Sequence, residues 1–338
     1  MLHCNDSIPR LFQDQIILPV LLFAVIFSAT PARADDQFTL LMGKESLDHY
    51  SSPQSTDTWQ IEYLHDWNQT FSYSLDHVNL GEFNQGISRH PDYDGGNLWW
   101  HVDFLDHHLR LSAGVGLLFY YDTVGSSYGQ GSTNTHGFGI SYTMAATWHT
   151  DGPWLFQARA SYVDAGGFDT QSVMLGVGYQ LDFKGTADAG NHDDDFAAVF
   201  DQNKNEITLY GGQGVINQPY NVKTQSVALE YRRDISAYLQ WSIAYLDEGD
   251  SALADRRGII GELWLSKSFF DKRLSLSAGV GPYAARDRKQ NPFVTTMRSF
   301  AAAYQVTPSV GARATWERVI TNYNRDSDVF LIGGSYRF

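Results

Sequence analysis

Between residues 109 and 122 the chain alternates with a period of two. Leu109, Leu111, Ala113, Val115, Leu117, Phe119 and Tyr121 share one face, and Arg110, Ser112, Gly114, Gly116, Tyr120 and Asp122 share the other, with Leu118 the exception. That pattern is a strand with one apolar face. Its length of more than ten residues suits a tilted strand crossing a membrane better than a strand of a soluble sheet, which averages about five or six. About sixteen such segments recur along the chain. In lipid, strands satisfy their backbone only by closing into a barrel.

The connections support that reading, because they alternate in length. Short turns fall at 66–69, 106–108, 150–153, 234–237, 270–273 and 306–308. Long polar loops fall at 44–56, 80–95, 123–136, 214–223, 248–256 and 287–295. Short periplasmic turns opposite long external loops are the pattern of bacterial outer-membrane barrels. The last residue, Phe338, closes an alternating strand and resembles the signal read by the barrel-assembly machinery, which is one expected partner. Outer-membrane lipid and lipopolysaccharide are the others.

Residues 1–34 read as a cleaved signal peptide, with Arg10 ahead of an apolar core at 16–27 and Ala32-Arg33-Ala34 as the cleavage site. The only cysteine, Cys4, precedes that core, so the mature chain has no thiol chemistry and no disulfide. The signal segment carries two acids and two bases, so the net charge of −14 survives cleavage. An acidic chain without a basic stripe is not a nucleic-acid binder. With 43% apolar and 14% aromatic residues, the chain is not a disordered one either.

The chain also repeats itself once. LSAGVG stands at 111–116 and again at 276–281, and Leu98-Trp99 and Leu263-Trp264 share that spacing. Ile61-Glu62-Tyr63 corresponds to Leu229-Glu230-Tyr231, and Asp66 to Asp234. The organisation is therefore an eight-strand repeat over 35–183, an acidic periplasmic linker over 184–205 and a second eight-strand repeat over 206–338. The linker contains His192-Asp193-Asp194-Asp195, which reads first as a solvated segment and second as a divalent-cation site. The fold class is all-β, a transmembrane antiparallel barrel. One sixteen-strand barrel is favoured, because one chain usually makes one barrel. Two tandem eight-strand barrels are the alternative, and the length of the linker argues for them. Sixteen strands would leave an aqueous channel, whereas eight are filled by their own side chains.

Pleat counting sends Glu62, Arg159, Glu230 and Arg313 inward, one Glu and one Arg per repeat. In a small barrel these would form lumen ion pairs, since buried charges persist only when paired. In a large one they would line the pore wall. Gly114, Gly116, Gly279 and Gly281 also point inward and leave room for large neighbours.

WQIEYLHDW and VALEYRRDI, the LSAGVG strand, and the segments around Arg159-Ala160-Ser161-Tyr162 and Arg313-Ala314-Thr315-Trp316 resemble the second, fifth and seventh strands of the lipid A deacylase family of eight-stranded outer-membrane barrels. In that family a His and a Ser two residues apart on strand seven face the lipid and cleave an acyl ester. This chain has Tyr162 and Asp164 at those places in the first repeat and Trp316 and Arg318 in the second. The resemblance therefore implies the fold without the dyad. Tyr162 and Trp316 read as aromatics of the membrane interface. Among the other candidates, His107, His108 and His149 belong to turns, and His77 and His101 to strands. His90 and Asp92 lie in an external loop with Asp94, beside Gly95-Gly96, a place that could hold a metal or a ligand, and His136 is the remaining candidate. No cofactor or metal is expected. The leading functional expectation is a channel or translocation pore for solutes or an exported polysaccharide. A structural or surface-interacting barrel is the alternative, and an acyl-ester hydrolase the third reading.

Overall fold

The computed structural model describes residues 36–47, 54–81, 83, 89–125, 132–166, 169–183, 194–217, 222–288 and 292–338. The segment expected as a signal peptide, with Cys4, and His192-Asp193 of the linker lie outside the described residues.

The first repeat forms β1 (Asp36–Leu47), β2 (Gln54–Asp66), β3 (Phe71–Asn79), β4 (Arg89–Phe104), β5 (Leu109–Gly125), β6 (Ser132–His149), β7 (Trp154–Asp164) and β8 (Asp169–Gln180). A helix, α1 (Asp194–Gln202), follows. The second repeat forms β9 (Asn205–Ile216), β10 (Val222–Asp234), β11 (Leu239–Asp250), β12 (Asp255–Phe269), β13 (Leu274–Asp287), β14 (Phe293–Gln305), β15 (Val310–Val319) and β16 (Ser327–Arg337). Every pairing between neighbouring strands is antiparallel.

The strands close as two eight-stranded barrels and not as a single barrel of sixteen. β8 returns to β1, from Gln37 opposite Gln180 to Leu47 opposite Thr170. β16 returns to β9, from Ser327 opposite Ile216 to Arg337 opposite Glu206. A single barrel would need β8 to pair with β9. Each repeat instead satisfies its own edges, so no strand is left open for the other.

Both barrels are inside-out relative to a soluble protein. Their inward faces carry Thr39, Gln60, Ser74, Asn97, Ser141 and Gln157 in the first and Thr208, Ser226, Ser242, Ser266 and Ser299 in the second, all buried. Their outward faces leave Met42, Met144, Leu175, Leu209, Ile259 and Ile332 exposed. An apolar outer wall is what strands need when the surrounding solvent is lipid, and toward the long-loop end each lumen is filled by an apolar cluster, around Leu47, Val78 and Leu118 in the first and Leu246, Tyr283 and Met297 in the second. Among the described residues no helix is long and apolar enough to cross a membrane.

β4, β5 and β6 run to 16, 17 and 18 residues, beyond the roughly 9–11 that cross a bilayer. Segments expected as loops are therefore strand. Residues 90–95 belong to β4, and His136 belongs to β6. At the opposite, short-turn end, the repeat extends to backbone conformation. Leu105, Asp106 and His107 are all left-handed, with φ of 53°, 54° and 70°. So are Phe270, Asp271 and Lys272, with φ of 53°, 50° and 69°. These turns stand at the same spacing as the two LSAGVG segments.

The linker is not wholly irregular. In α1, Phe196 and Phe200 lie four residues apart and so share a helix face, and both are buried. The Arg273 guanidinium lies 4.3 Å from the Phe196 ring and that of inward-facing Arg337 lies 3.9 Å from Phe200. α1 thus packs against the short-turn end of the second barrel.

Candidate functional site

The first lumen is crossed at mid-height by Trp99. Its indole Nε1 donates to Ser74 Oγ at 3.0 Å. The ring lies over Gly114, where a Cβ would stand 2.7 Å from it. Arg159 donates to Glu62 through a close contact, and its Nη1 lies 3.6 Å from Asp76 Oδ1. Asp76 also accepts from Gln60 Nε2 at 2.8 Å, Ser74 Oγ at 2.9 Å and Asn97 Nδ2 at 2.6 Å. All of these groups are buried, and the one guanidinium serves both carboxylates, a pairing that buried charges need, while Glu62 Oε1 and Arg159 Nε make no hydrogen bond.

The second lumen repeats the stopper and rewires the charges. Trp264 Nε1 donates to Ser242 Oγ at 2.9 Å, and the ring lies over Gly279. Glu230 and Arg313 do not pair directly. Glu230 is taken by Arg232, two residues along the same inward face, at 2.8 Å, and by the Tyr210 hydroxyl at 2.7 Å. Arg313 turns instead to Glu206 at 2.6 Å. The Arg232 guanidinium lies 3.7 Å from the Trp264 ring. The alternation Glu230-x-Arg232 is the sequence signal for this switch, because residues two apart on a strand share a face.

A second site lies between the barrels, where outward residues that would otherwise face lipid meet each other. Arg318 of β15 reaches Asp92 of β4, with Nη1 2.6 Å from Oδ2 and Nη2 3.2 Å from Oδ1. The same guanidinium lies 4.1 Å from the Tyr121 ring. Arg298 of β14 lies 4.0 Å from the Phe119 ring and 4.0 Å from Asp94. Asp94 accepts from His77 Nδ1 at 2.8 Å and from the Tyr121 hydroxyl at 3.1 Å. Nearer the long-loop end, His136 bonds to Asp326 at 2.5 Å and the Asn134 amide donates to Asn324 Oδ1 at 3.0 Å. Burial pushes the Asp326 carboxyl up, but the His136 bond outweighs it and leaves the group below its ordinary range. At the short-turn end Lys267 of β12 pairs with Asp36 of β1. There Asp36 also bonds to His65 at 2.7 Å and to the Tyr63 hydroxyl at 2.5 Å.

The expected external-loop cluster is therefore resolved differently. Asp92 and Asp94 face the second barrel and hold its arginines, and His90 Nε2 accepts from Asn79 Nδ2 at 3.0 Å. Among the described residues no group of three or more His, Cys, Asp or Glu is placed to hold a metal ion. Tyr162 lies on the outer wall of the first barrel, its ring 6.4 Å from that of Tyr142. Trp316 lies in the seam. Its Nε1 donates to Asp328 at 2.9 Å and its ring meets His77 edge-on at 4.0 Å. His101 bonds inside the lumen to Ser72 at 2.9 Å. His107 pairs with Asp103 at 3.1 Å, and His108 donates to the His149 carbonyl at 2.9 Å, both at the short-turn end.

No family model matches the chain, and no curated protein matches it. Solved structures similar to it include small membrane barrels. Neisserial surface protein A is 11% identical, covering 44% of this chain and 99% of its own, with a TM-score of 0.37. Ail, the attachment invasion locus protein of Yersinia pestis, is 13% identical, covering 44% and 99%, with a TM-score of 0.35. The N-terminal β-barrel domain of Pseudomonas aeruginosa OprF is 12% identical, covering 43% and 96%, with a TM-score of 0.33.

Proposed function

We propose that this chain is an outer-membrane double barrel with a structural or surface-interacting role, presenting its long-loop end outward, and that it is not a conduit. The observation that carries this reading is the layer of side chains closing each lumen: Trp99 with Glu62, Arg159 and Asp76 in one, Trp264 with Glu230 and Arg232 in the other. α1 adds a second obstruction at the short-turn end of the second barrel. The apolar outer walls support the membrane placement, and the deacylase-like strand patterns support a common descent without the hydrolytic dyad.

Single-channel recording of the refolded mature chain in a planar bilayer tests the reading. Folded, inserted protein should give no conductance steps. Reproducible unitary steps that Trp99→Ala or Trp264→Ala enlarges would replace it with the channel reading.

A further inference from the structure

The seam is polar at its two ends and hollow between them. Below the Arg318–Asp92 contact lies a cavity of about 560 Å3, within the roughly 300–1,000 Å3 range of sites that enclose small ligands. Its walls are the outward faces of both barrels. Ile61 and Leu75 line the first barrel's side, and Ala302, Ala314 and Phe330 the second's. On the second barrel's side the small Gly211, Ala302 and Ala314 stand among the larger Leu276, Phe300 and Ile332. The Trp316–His77 contact lies along its long-loop edge, and Lys267 lines the short-turn edge.

We propose that this groove holds one acyl chain of a glycerophospholipid, with the lipid phosphate toward Lys267. Three features select that occupant. Between its polar edges the cavity wall is almost wholly apolar, a surface that does not hold water, and in a bilayer the available filler is hydrocarbon. The wall on β3 runs from Tyr73 to His77, a rise of roughly 13 Å at strand geometry. That is close to one leaflet's half of a hydrocarbon core about 30 Å thick. The cation in the lining lies at the short-turn end, which the loop asymmetry assigns to the periplasmic leaflet, where glycerophospholipids face it. Both end cations have carboxylate partners, but Arg318 is buried against Asp92 whereas Lys267, paired with Asp36, keeps about a quarter of its side chain exposed, which favours the short-turn end for the phosphate. The inference rests on the membrane placement proposed above.

Native mass spectrometry of the full-length mature protein, extracted in mild detergent, tests it. One retained glycerophospholipid per chain is expected. The double variant Ala302→Phe/Ala314→Trp, which fills the hollow, should lower retention at least tenfold. Leu175→Trp, on the exposed wall of the first barrel, should leave retention unchanged. Heat-modifiable gel mobility checks that each variant is folded. Equal retention in the filled variant, retained lipid A in place of phospholipid, or no lipid on a membrane-extracted folded protein would each overturn the proposal. Failure of the mature chain to partition into membranes at all would instead overturn the reading on which it rests.

Discussion

Arg318 and Asp92 meet across the seam with two hydrogen bonds, although each projects from the outer wall of its own barrel and their positions are 226 residues apart. Both side chains are almost fully buried. In the seam neither charge has water beside it, so each depends on the other.

Removing one partner should therefore be worse than removing both. Arg318→Met leaves Asp92 buried without its cation and should destabilise the protein by about 3–5 kcal/mol. Arg318→Met/Asp92→Leu should recover most of that loss. Urea unfolding in detergent micelles, run as a double-mutant cycle, reads the coupling. Additive losses would mean that the contact does not hold the barrels together.

The lumen stoppers depend on two glycines. A Cβ at Gly114 or Gly279 would stand 2.7 or 2.6 Å from an indole carbon, so Gly114→Val and Gly279→Val overfill a closed interior. Each should cost about 1–3 kcal/mol, seen as a lower midpoint of heat-induced mobility shift. Gly334→Ala, on the exposed outer face of β16 with open space around it, should leave Trp99 and Trp264 fluorescence unchanged.

Leu105 is an exposed β-turn residue with φ of 53°. The left-handed conformation costs an L-residue roughly 1–2 kcal/mol that glycine avoids. Part of this is returned as greater freedom of the unfolded chain. Leu105→Gly should therefore raise stability by up to about 1 kcal/mol in the same unfolding assay. A loss of stability would show that Leu105 makes contacts that outweigh its backbone.

The short-turn clasp should respond to pH. Asp182, just past β8, is pushed up to about 7 by burial and by its hydrogen bond to the Asp36 carboxylate. The folded state thus holds a proton that the unfolded chain releases near pH 4. The stability this contributes is fully present below about pH 4 and is lost as pH rises through about 7. The urea midpoint should fall between pH 5 and pH 8. Asp182→Asn, which keeps a donor toward Asp36, should flatten that slope.

Alternation was enough to read faces. Trp59-Gln60-Ile61-Glu62 carries its own parity, and the inward glycines announce space for a ring. The number of barrels was not legible, because closure depends on which strand β8 meets, and its own period is identical whether that is β1 or β9. The Glu230 pairing was written in Arg232, two residues away, but pairing by analogy with the first repeat hid it. The seam was hidden for a different reason. Asp92, Asp94 and His136 are polar at outward positions, which in a lone barrel means a water-exposed loop. Only the second barrel's Arg298 and Arg318, distant in sequence, turn them into buried strand residues.

The seam also bears on copy number. Counted along the repeat, Asp92 and Asp94 correspond to Arg257 and Ile259, which pair with β13 as the originals pair with β5. Arg298 and Arg318 correspond to Tyr142 and Tyr162, themselves opposite each other on β6 and β7. The contact is therefore heterologous, joining unlike patches of two related subunits, the kind of arrangement that in identical copies propagates into rings or filaments. Divergence after duplication has left each complementary patch on one barrel only. The assembly is a dimer by covalent construction and carries its own stop.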